Sequence, residues 1–243
     1  MKTQVLVILL SIICLVTNGQ EKKNAVKVLP LSLPINSAVF EYERMLNEKN
    51  SVEFGVGIPI KHSFADKFGM DWSADEHITN DDFSIFSLRA AYRHYTGKSM
   101  LPKGFYIAPF LRYTGISAAA DNLRTVEDDL GSFTYNENYD TKIHTIGAGF
   151  QLGYQFLIAK TVTLDLFFFG LEAGLGKVDG NIYISEPEQV DDIYNDVSEA
   201  VADLPSMWRN KIDVTSGSDY VNIAGKNLFY AMYRGGISLG IAF

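Results

Sequence analysis

A long alternation of apolar and polar residues constrains this chain more than any other feature. From Thr145 to Ile158 every second residue is apolar, and the residues between are mostly glycine, glutamine or threonine. Phe229–Phe243 repeats the pattern, as do Val52–Ile60 and Phe86–Tyr92. A period of two is typical of a β-strand, and the usual strand has only about 5–6 residues. The sequence therefore predicts unusually long β-strands.

The composition of the polar face distinguishes two kinds of sheet. In a soluble sandwich or barrel the apolar face points inward, whereas in a membrane barrel it faces lipid and the interior is polar. Here the polar face is rich in glycine, with serine, glutamine and isolated arginine and glutamate. These residues suit a narrow, crowded lumen better than a solvated surface. We therefore expect an all-β, antiparallel, up-and-down transmembrane β-barrel.

Eight strands can be delimited from the alternation. They are predicted at Ala25–Leu33, Ala38–Leu46, Ser51–Phe64, Phe83–Tyr95, Gly104–Ala119, Lys142–Ala159, Val162–Lys177 and Asn227–Phe243. An even number places both ends of a closed barrel on one side of the membrane, and closure leaves no unpaired edge in lipid. Short connections are predicted at 34–37, 47–50, 96–103 and 160–161, and long loops at 66–82, 121–141 and 179–226. Apart from 34–37, short turns alternate with long loops, as in outer-membrane barrels, whose long loops are extracellular.

Charge is distributed unevenly between the turns and the loops. Of the 29 acidic residues, 22 lie in the three long loops, which hold only five lysines and arginines. The short turns instead carry Lys49, Lys98, Lys103 and Lys160. The net charge of -8 argues against a nucleic-acid partner, which would favour a clustered basic surface. An acidic exterior suits divalent cations held among lipopolysaccharide phosphates.

Residues 1–19 have the features of a secretory signal peptide. Lys2 precedes an apolar run from Val5 to Val16, and Thr17 and Gly19 are small residues at the spacing of a cleavage site. Residues 20–243 are then predicted as one outer-membrane β-barrel domain. The single cysteine lies within the signal peptide, so we expect no disulfide in the exported protein.

One helix is predicted in the longest loop. Ser185 and Glu188 have the spacing of a capping box, with Ser185 as the N-cap. Apolar residues follow at helical spacing, and Pro205 ends the run; they are Val190, Ile193, Val197, Ala200, Val201 and Leu204. We expect about four turns on the extracellular side, with the apolar stripe on the barrel mouth. The helix is either a lid that only packs or an element that binds a partner.

The alternation also places eight charged residues inside the barrel. They are Glu41, Glu43, Glu53, Arg89, Arg93, Arg112, Asp165 and Arg234. Glu43, Glu53, Arg93 and Asp165 are predicted in a lower layer near the short turns, and the other four in a middle layer. Side chains can just fill an eight-stranded barrel, and buried charges without partners are costly. We therefore expect a salt-bridged plug without a continuous water channel; a gated pore that selects a substrate is the alternative.

The long strands, the inverted alternation and the final aromatic residue resemble the small outer-membrane barrels of Gram-negative bacteria, of the OmpA and OmpX kind. The stretch NAVKVLPLSL followed by FEYERML also resembles a group of uncharacterised exported barrels in that superfamily. The resemblance implies outer-membrane lipid and lipopolysaccharide as surroundings. It also implies a C-terminal signal read by the barrel-assembly machinery, formed by Tyr233, Ile237, Leu239, Ile241 and Phe243.

No catalytic motif is evident in the sequence. The histidines are His62, His77, His94 and His144, and His62 or His144 with Asp66 or Asp140 would be the candidates for a catalytic site at the outer rim. Nothing fixes a nucleophile or an orienting partner, so we assign no catalytic residue, cofactor or metal ligand. The sequence predicts a structural, adhesive or interaction protein, with an extracellular or envelope partner left open. The alternatives are an enzyme that modifies lipid or surface peptide and an accessory barrel for transport or secretion.

Overall fold

The computed structural model describes residues 22–60, 78–128 and 131–243. In these ranges nine β-strands form one antiparallel sheet. They are β1 (Asn24–Leu29), β2 (Ser37–Met45), β3 (Asn50–Pro59), β4 (Ile78–Tyr95), β5 (Gly104–Asp128), β6 (Gly131–Ile158), β7 (Val162–Ile184), β8 (Ile212–Ser216) and β9 (Tyr220–Ala242). Helices α1 (Val190–Ala202) and α2 (Ser206–Arg209) lie between β7 and β8, and two 3-10 segments cover Pro30–Ile35 and Pro187–Gln189.

Eight of the strands close into a ring. Each strand from β1 to β6 pairs with the one that follows it, β7 pairs with β9, and β9 pairs with β1. The closing ladder matches Ala25 with Ala242 and Val28 with Leu239. The predicted all-β class, the antiparallel pairing and the closed ring of eight strands are thus confirmed. A ninth strand was not predicted: β8 lies outside the ring and pairs with the first residues of β9.

Three short connections lie at one end of the ring, which we call the turn end. They join β2 to β3, β4 to β5 and β6 to β7. In the first turn, Asn47 Oδ1 accepts hydrogen bonds from the backbone N–H groups of Lys49 and Asn50. In the third, Ala159 and Lys160 both have left-handed backbone, which matches the twist of a tight hairpin. The opposite end, where α1 lies, is the helix end.

The prediction of a long loop at 121–141 is wrong. β5 and β6 remain paired from Gly104 with Gln155 as far as Asp128 with Gly131, so most of this segment is a hairpin that continues the sheet. Its sequence contains threonine, valine, phenylalanine and tyrosine, which favour strands and outweigh the acidic residues among them. β1, in turn, ends at Leu29 rather than Leu33, because Pro30 cannot donate a ladder hydrogen bond.

The helix predicted in the last connection is confirmed, but its capping box is wrong. α1 begins at Val190 after a 3-10 turn, and Gln189 at the N-cap makes no side-chain capping bond. Ser185 instead continues the β6–β7 pairing, since its N–H donates to Asn136 O and its Oγ accepts from Asn136 N, both at 3.0 Å. Helix α1 therefore starts later than the prediction.

An apolar cluster seats α1 against the sheet. Val190 and Ile193 of α1 are buried against Tyr135, Ile182 and Val221, which belong to β6, β7 and β9. These strand residues lie on the face that is continuous with the interior of the ring. No helix in the described ranges is long and apolar enough to cross a membrane. The predicted signal peptide, residues 1–19, and most of the predicted loop 66–82 lie outside the described residues.

Candidate functional site: the charged lumen

Lys27 is the centre of the charge cluster near the turn end. It lies on β1 between Val26 and Val28, which face outward. Its Nζ is 3.0 Å from Glu43 Oε2 and 3.2 Å from Asp165 Oδ2. It also contacts Glu53 and Gln155. The side chains of Lys27 and of the three carboxylates are fully buried, so one ammonium group forms ion pairs with carboxylates from three strands.

Arg93 on β4 is the second cation of this cluster. Its guanidinium lies 2.6 Å from Asp165 Oδ2 and 2.5 Å from Glu53 Oε2, and it donates to Gln155 Oε1 at 2.8 Å. The same group sits over the ring of Tyr106, 4.2 Å from its centroid. A planar guanidinium can bind two carboxylates and stack on an aromatic face at once, which a second lysine could not do.

Neutral donors complete the hydrogen bonding of the carboxylates. Tyr95 and Ser51 each donate a hydroxyl to Glu43 Oε1 at 2.6 Å. Tyr106 donates to Asp165 Oδ1 at 2.8 Å. Buried carboxylates need such partners because an ion pair alone does not satisfy every lone pair. The cluster is therefore both ion-paired and hydrogen-bonded.

Arg89 links this cluster to the next level of the lumen. It pairs with Glu41 at 2.6 Å and with Glu53, and it donates to Gln151 Oε1 at 2.9 Å. Because Glu53 also binds Lys27 and Arg93, the ion pairs form one continuous network across β1, β2, β3, β4 and β7.

A separate group, nearer the helix end, surrounds Glu172. Arg112 Nε donates to Glu172 Oε1 at 3.1 Å, and Tyr230 donates its hydroxyl to the same oxygen at 2.8 Å. Arg234 Nε lies 3.8 Å from Glu172 Oε2. Gly147 makes this approach possible, since a Cβ there would lie 2.2 Å from the Tyr230 hydroxyl and 2.8 Å from Glu172.

The structure places all eight predicted lumen residues on the inner face, but it groups them differently from the prediction. The four predicted in the lower layer do come together around Lys27. The four predicted in one middle layer separate, since Glu41 and Arg89 join the Lys27 network while Arg112 and Arg234 join Glu172. With Lys27 and Glu172 included, the side chains that the structure describes in these two groups comprise five cations and five carboxylates.

Sequence reasoning missed Lys27 and Glu172 for different reasons. The signal for Lys27 was present, because it alternates with two outward valines. Glu172 was hidden by a β-bulge at Phe168, where β7 carries one residue more than either neighbouring strand. A bulge shifts the period of two, so inward residues are odd-numbered before it and even-numbered after it. The run Phe167–Phe169, which breaks the alternation, was the available sign.

Beyond the ring, Glu137 on β6 forms a smaller polar site at the helix end. It is buried and accepts hydrogen bonds from the Tyr139 hydroxyl at 2.5 Å and from Arg124 Nη1 at 3.4 Å. Burial and the neighbouring Glu137 carboxylate raise the pKa of the Tyr139 phenol above its ordinary value.

The two described histidines are bound to neutral groups. His94 Nδ1 lies 2.8 Å from Asn50 Oδ1, and His144 Nδ1 lies 2.8 Å from the Tyr113 hydroxyl, with the His144 and Tyr113 rings stacked. His62, His77 and Asp66 lie outside the described residues. Within the described part of the chain, no group of three or more His, Cys, Asp or Glu side chains could hold a metal ion.

The residues predicted as an assembly signal lie along the outer face of β9. Tyr233, Ile237, Leu239 and Ile241 are exposed there. Phe243 follows the strand, and it exchanges backbone hydrogen bonds of 2.9 and 3.0 Å with Asn24. Leu239, Ile241 and Phe243 thus lie at the seam that closes the ring, and the role of all five residues in assembly stays a prediction.

The chain matches no known family model, no curated protein and no solved structure.

Proposed function

We propose that this protein is a small outer-membrane β-barrel whose lumen is plugged by its own charges and whose role is structural, adhesive or interactive. A bilayer-spanning ring, an exported precursor with a signal peptide at 1–19, and kinship with the OmpA and OmpX barrels are all parts of this proposal. The observation that carries it is the inverted burial of the ring, with charge inside and apolar side chains outside.

The outer face of the ring is apolar on every strand. Leu111 is 65% exposed, Ile146 66% and Phe54 56%, whereas Lys27, Glu43 and Asp165 inside are 0% exposed. Soluble monomers rarely expose a contiguous apolar patch of more than a few hundred Å². An apolar band that surrounds a closed ring is stable in lipid, where backbone groups must be hydrogen-bonded between strands.

The height of the band fits a bilayer. On β6 the outward apolar residues run from Ile146 to Ile158. Twelve residue steps of about 3.4 Å, tilted by about 40°, span roughly 30 Å, close to the hydrocarbon thickness of a membrane. Tyrosine is exposed toward the turn end, at Tyr92 and Tyr154, as in the aromatic girdles of membrane barrels.

The lumen supports a plug rather than a pore. The side chains of the Lys27 network are 0–8% exposed and bridge the ring from β1 across to β7 near the turn end. A continuous water path would require these ion pairs to separate. We therefore place the function of the protein at its helix end, where α1 and the long hairpins extend beyond the ring.

One pair of substitutions tests membrane insertion directly. Leu111→Arg on the outer face should lower the free energy of unfolding in lipid vesicles by about 2–4 kcal/mol, the usual cost of arginine at the lipid face of a barrel. Asn138→Arg, also outward but beyond the band, should change it by less than about 0.5 kcal/mol. Denaturant titrations followed by heat-modifiable gel migration measure both. Equal, small effects would contradict insertion, and steady conductance of the unmodified protein in a planar bilayer would contradict the plug.

A further inference from the structure

One guanidinium nitrogen of Arg112 and one of Arg234 have no strong hydrogen-bond acceptor. Both arginines direct Nε toward Glu172, so the outer nitrogens of each guanidinium point elsewhere. Arg112 Nη2 donates to the thioether sulfur of Met232 at 3.1 Å, and a thioether is a weak acceptor. Arg234 Nη1 is buried without a hydrogen-bond partner. A buried guanidinium nitrogen in this state is costly. The Arg234 guanidinium also lies over the Phe110 ring, 4.9 Å from its centroid, and Glu172 Oε2 is likewise without a hydrogen bond.

The charge of this level also calls for an anion. Glu172 is the carboxylate that both arginines share, whereas the Lys27 network below has four carboxylates for three cations. The charged groups around Glu172 therefore carry one excess positive charge, which the Lys27 network offsets within the lumen as a whole. Planar guanidinium groups bind carboxylates through two parallel hydrogen bonds.

An apolar cavity lies beside Tyr230 on the side of the helix end, and neither arginine lines it. It has a volume of about 340 Å³, at the lower limit of the size range of small-molecule sites, about 300–1,000 Å³. Its apolar walls come from the ring and from the segment after α1, and they include Ile143, Val178, Leu204, Trp208, Ile212 and Leu228. The Trp208 indole is fixed by a 2.7 Å hydrogen bond to Phe229 O.

Tyr230 connects the cavity to the arginines. Its ring lines the cavity, and its hydroxyl donates to Glu172, which binds Arg112. Solvent reaches the same level, because Met232 is 43% exposed and the Arg112 side chain 20%. A ligand that entered here would meet apolar walls first and two cations beneath them.

We propose that this part of the lumen binds a small apolar carboxylic acid, with its carboxylate on Arg112 and Arg234 and its apolar portion in the cavity beside Trp208. The acid replaces the thioether as the acceptor for Arg112 and supplies the missing acceptor for Arg234. This site goes beyond the proposed structural or interaction role, and it depends on the closed ring but not on the membrane around it.

The test uses the full chain refolded in detergent and three probes. 3-Phenylpropionate carries both features of the ligand, 3-phenyl-1-propanol lacks the charge and acetate lacks the apolar part. Binding is followed by the ¹³C-methyl resonance of Met232 and by Trp208 fluorescence in a Trp72→Phe background, since Trp72 is the other tryptophan. Met45, which packs beside Tyr95 and Tyr106 in the lower lumen, is the internal reference.

We expect 3-phenylpropionate to shift the Met232 methyl and to change Trp208 fluorescence saturably, with Met45 unmoved and each control probe at least about tenfold weaker, since it lacks either charged hydrogen bonds or apolar burial. Arg112→Gln and Arg234→Gln should each weaken binding roughly tenfold, whereas Lys142→Gln, an exposed lysine on the outer face, should not. If Arg112→Gln does not fold, Arg112→Lys keeps the charge and still weakens binding. Equal binding of the alcohol and the acid, or no saturable response to the acid, overturns the proposal.

Discussion

β6, β7 and β9 follow opposite rules of burial in their two halves. Inside the ring, charges such as Asp165 are buried and apolar residues such as Ile146 are exposed. Toward the helix end the pattern inverts, since Tyr135, Ile182 and Val221 are buried while Asn136 and Asn138 are exposed. One continuous strand therefore changes from the pattern of a membrane barrel to the pattern of a soluble sheet.

The inversion occurs over a few residues and is marked by lysine. Lys142 on β6, Lys177 on β7 and Lys226 on β9 point outward just beyond the last exposed apolar residues, which include Leu175 and Phe229. Long lysine side chains reach from an apolar surface into water. The change of pattern thus locates the height at which the surroundings of the proposed membrane barrel change from lipid to water.

This contrast separates two sources of stability. The ring interior is held by ion pairs whose members are costly to bury alone, while the helix end is held by apolar contacts around α1. Removal of a buried charge should therefore lower the stability of the ring interior most. Truncation of a buried apolar side chain should mainly lower the stability of the helix end.

The largest effect is expected for Lys27→Met, which keeps the volume but removes the central charge. Glu43, Glu53 and Asp165 each lose their ammonium partner, so the free energy of unfolding should fall by about 3–5 kcal/mol. Denaturant titration with heat-modifiable migration as the readout measures the change. Lys27→Met combined with Glu53→Gln should recover part of the loss, and Lys98→Met, at an exposed position in a turn, serves as the neutral control. If the single variant were as stable as the parent, the carboxylates would not depend on Lys27.

A smaller and more local effect is expected for Ile193→Ala. Ile193 is 4% exposed in the cluster that seats α1, so its truncation should weaken the docking of α1 by about 2–4 kcal/mol. Amide exchange should become faster in α1, while the heat-modifiable migration of the ring stays unchanged. Glu199→Ala, on the exposed side of the same helix, is the matched control. Loss of the folded ring in Ile193→Ala would show that the two regions do not have separate sources of stability.

The difference between the two halves also explains what the sequence could predict. In the ring a strict period of two makes the inward face readable, so all eight predicted charges, from Glu41 to Arg234, lie inside. Exposed apolar residues and buried charges both follow from counting alternate positions. After Phe168, counting alternate positions no longer identifies the inward residues of β7, because a β-bulge shifts them by one. A bulge depends on pairing with the neighbouring strands rather than on the composition of the strand itself.

At the helix end the sequence predicted the structure less well. Acidic residues at 121–141 suggested a loop, yet the segment pairs along nearly all its length, because cross-strand contacts decide whether such a hairpin forms. Ser185 had a capping spacing, but its hydrogen bonds to Asn136 extend the sheet instead. Local motifs compete with tertiary pairing here, and no sequence period indicates which one prevails.

The smallest expected effect concerns pH and again involves the helix end alone. The pKa of Tyr139 is raised by burial and by the hydrogen bond to Glu137. The unfolded phenol releases its proton at a pH of about 10, whereas the folded one holds it to higher pH. The folded state therefore binds more protons above pH 10, and its stability falls as the pH rises through this range.

Tyr139→Phe should remove that contribution. The loss of one hydrogen bond should cost roughly 1 kcal/mol at neutral pH, and the variant should then lose less stability than the parent between about pH 9.5 and 11. Amide exchange of α1 and its supporting strands measures this, with Tyr183→Phe at an exposed position as the control. Tyr95 and Tyr106 also donate phenol hydroxyls within the Lys27 network, so the migration of the folded ring is not a pH-independent reference. The comparison therefore rests on the amide exchange of the helix end in the parent and in Tyr139→Phe. A step common to both regions, unchanged in Tyr139→Phe, would mean that alkaline pH acts on the ring and not on the contacts of the helix end.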